Sequence, residues 1–327
     1  MSNLETAPEE LVCSSAPADD RPSGLVLESR DVPLGGPRAM RVRRTLPQRT
    51  RSLIGAWCFV DHYGPEDVSV TGGMRVPGHP HVGLRTVSWL FGGEIEHRDT
   101  TGTHAFVRPG ELNLMTAGSG IAHSEYSTPE TSVLHGVQLW LALPEAHRFT
   151  APGFEHYAPP AFEHEGARVL VFLGALCGAS SPVHTFSPLL GAEITLPADR
   201  TLRLDVDPTF EHGVLVDTGA VTAAGADATV GQLVYQAPGT RGLALRAGAE
   251  GARVLVLGGR PLEERIVMWW NFVGRTHEEI LAYREQWQAE RAGGSGADSA
   301  RFGTFPVHWE ETLPAPEPPA ARLKPRG

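Results

Sequence analysis

Cysteine is scarce. Cys13, Cys58 and Cys177 are odd in number, far apart and without a CxxC pair, which speaks against both a disulfide framework and a cysteine zinc site and fits a reducing compartment. Lysine is scarcer still: Lys324 stands alone, so arginine carries nearly all the positive charge. A formal net charge of -10 argues against a general affinity for nucleic acid, since phosphate binding depends on clustered Lys and Arg. No window approaches the roughly 18 apolar residues of a membrane helix, so a soluble chain without a membrane partner is expected. Residues 1–24 carry Glu5, Glu9, Glu10, Asp19 and Asp20 but lack the apolar core of a secretory signal. They read as a largely disordered leader on a cytoplasmic protein. No GxSxG elbow and no phosphate-cradling glycine loop occurs, which leaves hydrolase and nucleotide-binding readings without support.

What is abundant is glycine (37) and proline (27), and they divide the chain into short apolar runs. Such spacing predicts an all-β protein of barrel or sandwich type. Strands are expected at 86–91, with Val87, Trp89 and Phe91 on one face, and at 105–108, 112–116 and 132–143. In the second half they are expected at 167–173, 201–206, 213–217, 232–236 and 252–257. The Pro-rich stretch 146–165 reads as a linker. The resulting division is a leader (1–24), a first β domain (25–145), the linker, a second β domain (166–275), and a helix with an irregular tail (276–327). "GARVLVFLG" at 166–174 and "GARVLVLGG" at 251–259 are nearly identical, and converged core strands explain this better than an internal repeat. One long helix is predicted after Thr276, with Glu279 completing a capping box, Ile280, Tyr283 and Trp287 on one face, and Gly293 and Gly294 ending it. The basic run 41–51, "RVRRTLPQRTR", reads as a solvated strand and turn.

The chemistry-bearing residues are paired. In "GHPHVG" His79 and His81 are two apart, so on a strand they share a face. "GSGIAHSEYS" supplies His123 and Glu125 in the same relation. About 40 residues with several strand and turn signals lie between the pairs, enough for the chain to return beside itself. Three imidazoles and a carboxylate suit Fe, Mn, Ni, Cu or Zn, and open positions would admit substrate or dioxygen. From spacing alone, accidental pairs of surface histidines, in a chain with 14 histidines, stand as an equal alternative.

The motifs resemble those of the cupins: Gly73 ahead of His79 and His81, Gly92 after them, and Gly118 and Gly120 ahead of His123. Arg85 stands where cupins usually carry Glu. The likeness is closer to one branch, the pirins. "PLGGPRAM", "GAWCFVDHYGP", "GHPHVGLRTVSWLFGGEIEHRDTTG", "RPGELNLMTAGSGIAHSE", "GVQLWLALP" and "WWNFVGRTHEEI" follow one another as in that family, over about residues 30 to 285. The resemblance implies two cupin-type barrels (double-stranded β-helix, jelly-roll) in one chain with a C-terminal helix. It places the four metal ligands on His79, His81, His123 and Glu125, with mononuclear non-haem iron, Fe(II), the family's usual metal. The family's usual tail looks like "VPGD", whereas this chain has "FPVHWEE".

Two functions follow from the resemblance. One is a quercetin 2,3-dioxygenase type of enzyme acting on a flavonol or similar enolisable phenol with O2, Glu125 serving as general base. The other is an iron-dependent, redox-sensing regulator acting through a protein partner rather than direct nucleic-acid contact. Neighbouring residues carry two readings each, the blander preferred: His97 and Asp99 structural in a strand turn rather than orienting a ligand imidazole, His62 a satisfied fold residue rather than a fifth ligand, Trp89, Met115 and Trp140 core rather than pocket lining, and Arg85 facing the surface rather than the site mouth. His184 and His212 stand alone, so the second barrel is expected to be metal-free.

Overall fold

The computed structural model describes residues 5, 7–13, 24–34, 40–293, 300–306, 309 and 311–318. It shows the expected all-β architecture of two cupin-type domains with one helix. Seven strands make the larger sheet of the first half. In spatial order they are Gly153–Tyr157, Leu112–Thr116, Leu84–Gly92, Val133–Ala142, Trp57–Asp67, Met40–Leu46 and Arg30–Leu34. Opposite lies a smaller sheet of Arg75–His81, Ile121–Ser127, Ile95–Asp99 and His104–Val107. The second half is built on a nine-stranded sheet whose longest member is Gly242–Gly259. Among the described residues no helix is long and apolar enough to cross a membrane.

The two large sheets pack face to face, and this explains why several strands carry apolar residues on both sides. Along Val133–Ala142 the odd positions Val137, Leu139 and Leu141 enter a cluster with Leu170, Phe172, Leu215 and Leu255 of the second half. Their even neighbours Gln138 and Trp140 lie outside that cluster, facing the interior of the first barrel. Trp89 sits on the shared face, stacked on Phe172 at 4.6 Å and donating to Glu193 Oε2 at 2.8 Å. The two similar segments flank one strand, Leu189–Leu196, so that Val169, Ile194 and Val254 lie in one row. Their common surroundings account for their likeness.

The helix His277–Arg291 forms as expected, with Thr276 and Glu279 closing the capping box and Ile280, Tyr283 and Trp287 buried. It docks on the first half, in a cluster with Val82, Ala122, Phe272 and Phe302.

Long-range pairing produces several departures from the linear reading. Leu11–Cys13, within the expected leader, is a strand paired with Ile266–Met268, while 1–4, 6 and 14–23 lie outside the described residues. Leu25–Leu27 crosses over to pair with Leu233–Gln236 of the second half, covering that sheet edge. The stretch 146–165 contains two strands, Gly153–Tyr157 on the first sheet and Phe162–His164 on the second, so it extends both rather than merely connecting them. The basic run is not a solvated face: Arg44 is buried against Asp61, with Nε–Oδ1 at 2.7 Å, and Arg51 is buried against Glu211.

Glu211 ties the halves together. Its carboxylate accepts from Arg51 Nη1 (3.2 Å), the Gly55 backbone N–H (2.7 Å) and Tyr235 Oη (2.9 Å), all out of solvent. Glu211→Ala would strand the Arg51 cation inside the protein, and a loss of about 3–5 kcal/mol in unfolding free energy is expected by urea denaturation. A loss below about 1 kcal/mol would show that the joint is not structural. A second group gives stability a pH dependence. Burial pushes the His212 imidazole down to about 4, whereas an unfolded one titrates near 6.5. Between those values the unfolded state binds a proton that the folded state refuses, so stability falls as pH drops through that window. His212→Leu is expected to flatten this slope in denaturation curves taken at stepped pH.

Candidate metal centre

The site is assembled by antiparallel pairing of two strands of the smaller sheet. His79 and His81 lie on one face of Arg75–His81, and His123 of Ile121–Ser127 stands directly opposite His79. The ring centroids of His79 and His123 are 4.3 Å apart, those of His79 and His81 5.1 Å, and those of His81 and His123 5.0 Å. One ring nitrogen from each lies within 4.8 Å of the others. A register shift puts His123 opposite His79 but Glu125 opposite Val76, so the extra residue lies in the His79 strand, between Val76 and His79, and the carboxylate faces no histidine of that strand. Glu125 therefore groups with His97 and His123, not directly with His79 and His81, and His123 is common to both groups.

Hydrogen bonding fixes which nitrogens are presented. His79 Nδ1–H donates to the Pro77 carbonyl at 2.8 Å. His123 Nδ1 meets His97 Nδ1 at 3.2 Å, and His97 Nε2 meets Asp99 Oδ2 at 3.2 Å. An ionised Asp99 can only accept, so the protons run from His123 to His97 to Asp99 and leave a lone pair on His123 Nε2. Asp99 is in turn held through Oδ1 by Thr101 N (2.9 Å), Thr101 Oγ1 (2.6 Å) and Thr103 N (3.1 Å). His97 and Asp99 are thus more than a strand turn: they orient the third imidazole. The Nε2 atoms of His79, His81 and His123 are buried and have no hydrogen-bond partner. Burial pushes the His79 imidazole down to about 3 and those of His81 and His123 well below their usual range, so all three are neutral near pH 7, as metal ligation requires. This donor set fits a mononuclear metal ion.

The C-terminal segments hold the His79–His81 strand from behind. Strands Ile266–Trp269 and Phe272–Gly274 form a hairpin whose Val273 N–H donates to Val82 O at 3.0 Å. Gly83 lets it approach, since a Cβ there would lie 2.1 Å from Val273 O. At the outer edge the tail runs alongside: Gly78 N donates to Glu311 O at 3.3 Å and Leu313 N donates to Gly78 O at 2.8 Å. Trp309 covers Gly78 so closely that a Cβ would meet its ring at 2.5 Å.

Arg85 lies neither at the site nor on the surface. Thr86 and Ser88 share the inward parity, while Arg85 shares that of Val87 and Trp89. It is buried against Thr116 Oγ1 (2.9 Å), His184 O (2.6 Å) and Glu155 Oε1 (2.5 Å). His62 is likewise turned away. His62 and His135 place their Nε2 atoms 2.8 and 2.6 Å from one oxygen of Asp217, and Arg253 Nε is 2.5 Å from the other. Burial alone would raise the Asp217 carboxyl, but His135, His62 and Arg253 outweigh it and hold it far below the usual range. This charge is already compensated by Arg253 within the second half, and the two histidines of the first half close on it, so the cluster is a joint between the halves rather than an open ligand set. Reading the sequence missed it because the three residues are far apart in the chain. Met115 packs with Ala117, Ile121 and Phe154 as a core residue, and Trp140 is edge-on to His81 at 5.3 Å.

The two histidine clusters make opposite predictions. After anaerobic reconstitution with Fe(II), His81→Ala is expected to lose most of the bound metal measured by elemental analysis. His135→Ala is expected to keep it while unfolding more easily. Metal retained in the first variant and lost in the second would move the site to the joint.

The comparisons with known proteins agree with this architecture. The family model described as Pirin matches residues 39–141, and that for the Pirin C-terminal cupin domain matches residues 191–293. A Pseudomonas aeruginosa protein named "Putative quercetin 2,3-dioxygenase" is 40% identical over 316 residues, covering 95% of this chain and 99% of the relative. A pirin-like protein of Caulobacter vibrioides is 33% identical over 291 residues, covering 86% and 99%. The crystal structure of a quercetin 2,3-dioxygenase from Acinetobacter baumannii superposes with a TM-score of 0.85 at 34% identity, covering 94% of this chain and 98% of that one. A bacterial pirin from Escherichia coli, solved in complex with nickel(II), shares the fold at 20% identity and a TM-score of 0.57, covering 72% and 98%. With both cupin domains matched in order and relatives of this identity along nearly the whole chain, the protein belongs to the pirin family.

Proposed function

We propose that the chain is a metal-dependent dioxygenase of the quercetin 2,3-dioxygenase type, acting on a flavonol or a similar enolisable phenol. The observation that carries this reading is the set of three neutral, buried imidazoles whose Nε2 atoms have no partner, with a buried carboxylate beside them. In this reading His79, His81 and His123 hold one mononuclear metal, Fe(II) by family habit, with Glu125 completing the set. Mn, Ni, Cu and Zn suit the same donors. When bound, the metal would supply Lewis-acid polarisation of the substrate's oxygens.

The remaining chemistry belongs to the chain. Glu125 is the base: its carboxylate takes the proton of the flavonol 3-hydroxyl, becoming a carboxylic acid as the substrate becomes an enolate. Ser88 Oγ, 3.4 Å from Glu125 Oε1, lies beside it. The stack of Phe59 on Trp140, with centroids 4.0 Å apart, and the Trp140 edge against His81 give the interior an aromatic wall suited to a flat ring. The surrounding barrel excludes water from the carbon that dioxygen must reach.

Glu125→Gln should reduce substrate-dependent oxygen uptake by at least about 100-fold, the size of a general-base contribution, while leaving much of the metal in place. Full activity in that variant would overturn the base assignment. Stoichiometric metal with no uptake in the wild type would instead favour the redox-sensing regulator and turn the search toward protein partners.

A further inference from the structure

Inside the first barrel, among the described residues, three buried donors have no partner, Tyr63 Oη, Gln138 Nε2 and Trp140 Nε1, and the first two have no role in the chemistry derived above. Tyr63 Oη and Gln138 Nε2 are both unpaired, on side chains that are about 1% exposed. They come from neighbouring strands, Trp57–Asp67 and Val133–Ala142, in which Tyr63 stands opposite Gly136 and Asp61 opposite Gln138. A Cβ on Gly136 would lie 2.9 Å from Tyr63 Oη, so the phenol reaches across the bare glycine, one inward position from Gln138. Gln138 is tied to the candidate base by a short chain. Its Oε1 lies 2.8 Å from Ser88 Oγ, and the same Ser88 Oγ lies 3.4 Å from Glu125 Oε1. With Oε1 engaged, the amide presents Nε2 elsewhere. Burial raises the Tyr63 phenol well above its usual range, and the Glu125 charge adds to this, so its proton stays in place to be donated.

Two donors of this kind are costly to leave unsatisfied. Interiors seldom contain them without a ligand or a water to complete them. Their chemistry is specific: a neutral phenol O–H and a neutral amide N–H2, with an acceptor carboxylate on the facing sheet and the aromatic Phe59–Trp140 stack on their own two strands. An anion would meet no cation among them. A hydrocarbon would leave both donors bare. The group that satisfies all three is a carbonyl oxygen beside an acidic hydroxyl on a flat ring, with the carbonyl taking the donors and the hydroxyl facing Glu125.

We propose that Tyr63 and Gln138 are the substrate-recognition residues of this barrel, and that they select a planar keto-enol ligand by donating to its carbonyl oxygen. The proposal rests on the dioxygenase reading and adds to it: the metal ligands and Glu125 define the reaction, whereas this pair defines which phenols enter. It separates a flavonol, which has the ring carbonyl, from a flavan-3-ol of the same outline, which lacks it. A site built around unpaired donors rejects the analogue that cannot satisfy them.

The test uses the full-length, Fe(II)-reconstituted protein with Tyr63→Phe and Gln138→Leu. Quercetin is the probe and catechin, without the ring carbonyl, the control. Three quantities are read: oxygen-uptake kinetics, ligand affinity by fluorescence quenching, and the melting temperature of the ligand-free protein. Each variant is expected to raise KM and Kd for quercetin about 3- to 10-fold, the worth of one neutral hydrogen bond. Weak catechin binding should be unchanged, and the ligand-free melting temperature of Tyr63→Phe should not fall, since only an unsatisfied donor has been removed there. Unchanged quercetin affinity in both variants overturns the proposal and leaves the dioxygenase reading standing. So does a ligand-free Tyr63→Phe protein destabilised by several degrees, which would mean that the phenol O–H serves the fold. Quercetin binding that weakens in the variants without any wild-type turnover supports the recognition site while removing the dioxygenase reading. If quercetin does not bind the wild type, both fall.

Discussion

A buried nitrogen lone pair without a partner costs about 1–3 kcal/mol, and this barrel holds three of them side by side. Their sum, about 3–9 kcal/mol, is comparable with the whole net stability of an ordinary domain, about 5–15 kcal/mol. Much of the surrounding architecture answers that cost. Two antiparallel strands place the rings opposite one another, a carbonyl and a His97–Asp99 chain fix two of the tautomers, and the hairpin and tail brace the strand from behind. Behind these stands the second half, whose sheet buries the outer face of the barrel and keeps its strands from flexing apart.

The molecule uses histidine and carboxylate twice, with opposite results. At His62, His135 and Asp217 the charge is compensated by Arg253, with Arg43 Nη2 3.3 Å from the outer nitrogen of His62. At the triad the Nε2 atoms have no hydrogen-bond partner among the described residues, and burial keeps the rings neutral. The difference lies in what surrounds each group rather than in the group itself. A candidate metal centre and a joint between the halves are thus separated by one sheet, whose strands show odd residues to one side and even residues to the other.

That alternation decides what was legible in the sequence. Pairs two apart, such as His79 with His81 and His123 with Glu125, declare their common face without any knowledge of neighbours. The helix announced itself equally well, because its cap and stripe are local. Which strand lies beside which is not local, and the errors collect there. Arg85 was placed at the surface although its parity with Val87 and Trp89 assigns it to the face that the second half buries. Arg44 and Arg51 looked like a solvated run until Asp61 and Glu211 arrived from elsewhere in the chain. Tyr63 and Gln138 gave no signal, since an unpaired donor becomes visible only when everything around it has been placed.

The tail that pairs with Gly78 follows every candidate ligand in the chain order. During synthesis the His79–His81 strand must therefore wait, with one edge open, until Glu311 to Leu313 have left the ribosome and folded back. A metal ion captured before then would meet a looser cradle than the finished one. The candidate centre is in this sense braced by a segment made long after its last candidate ligand, and a chain cut before Glu311 would carry all four candidate ligands yet lack that brace.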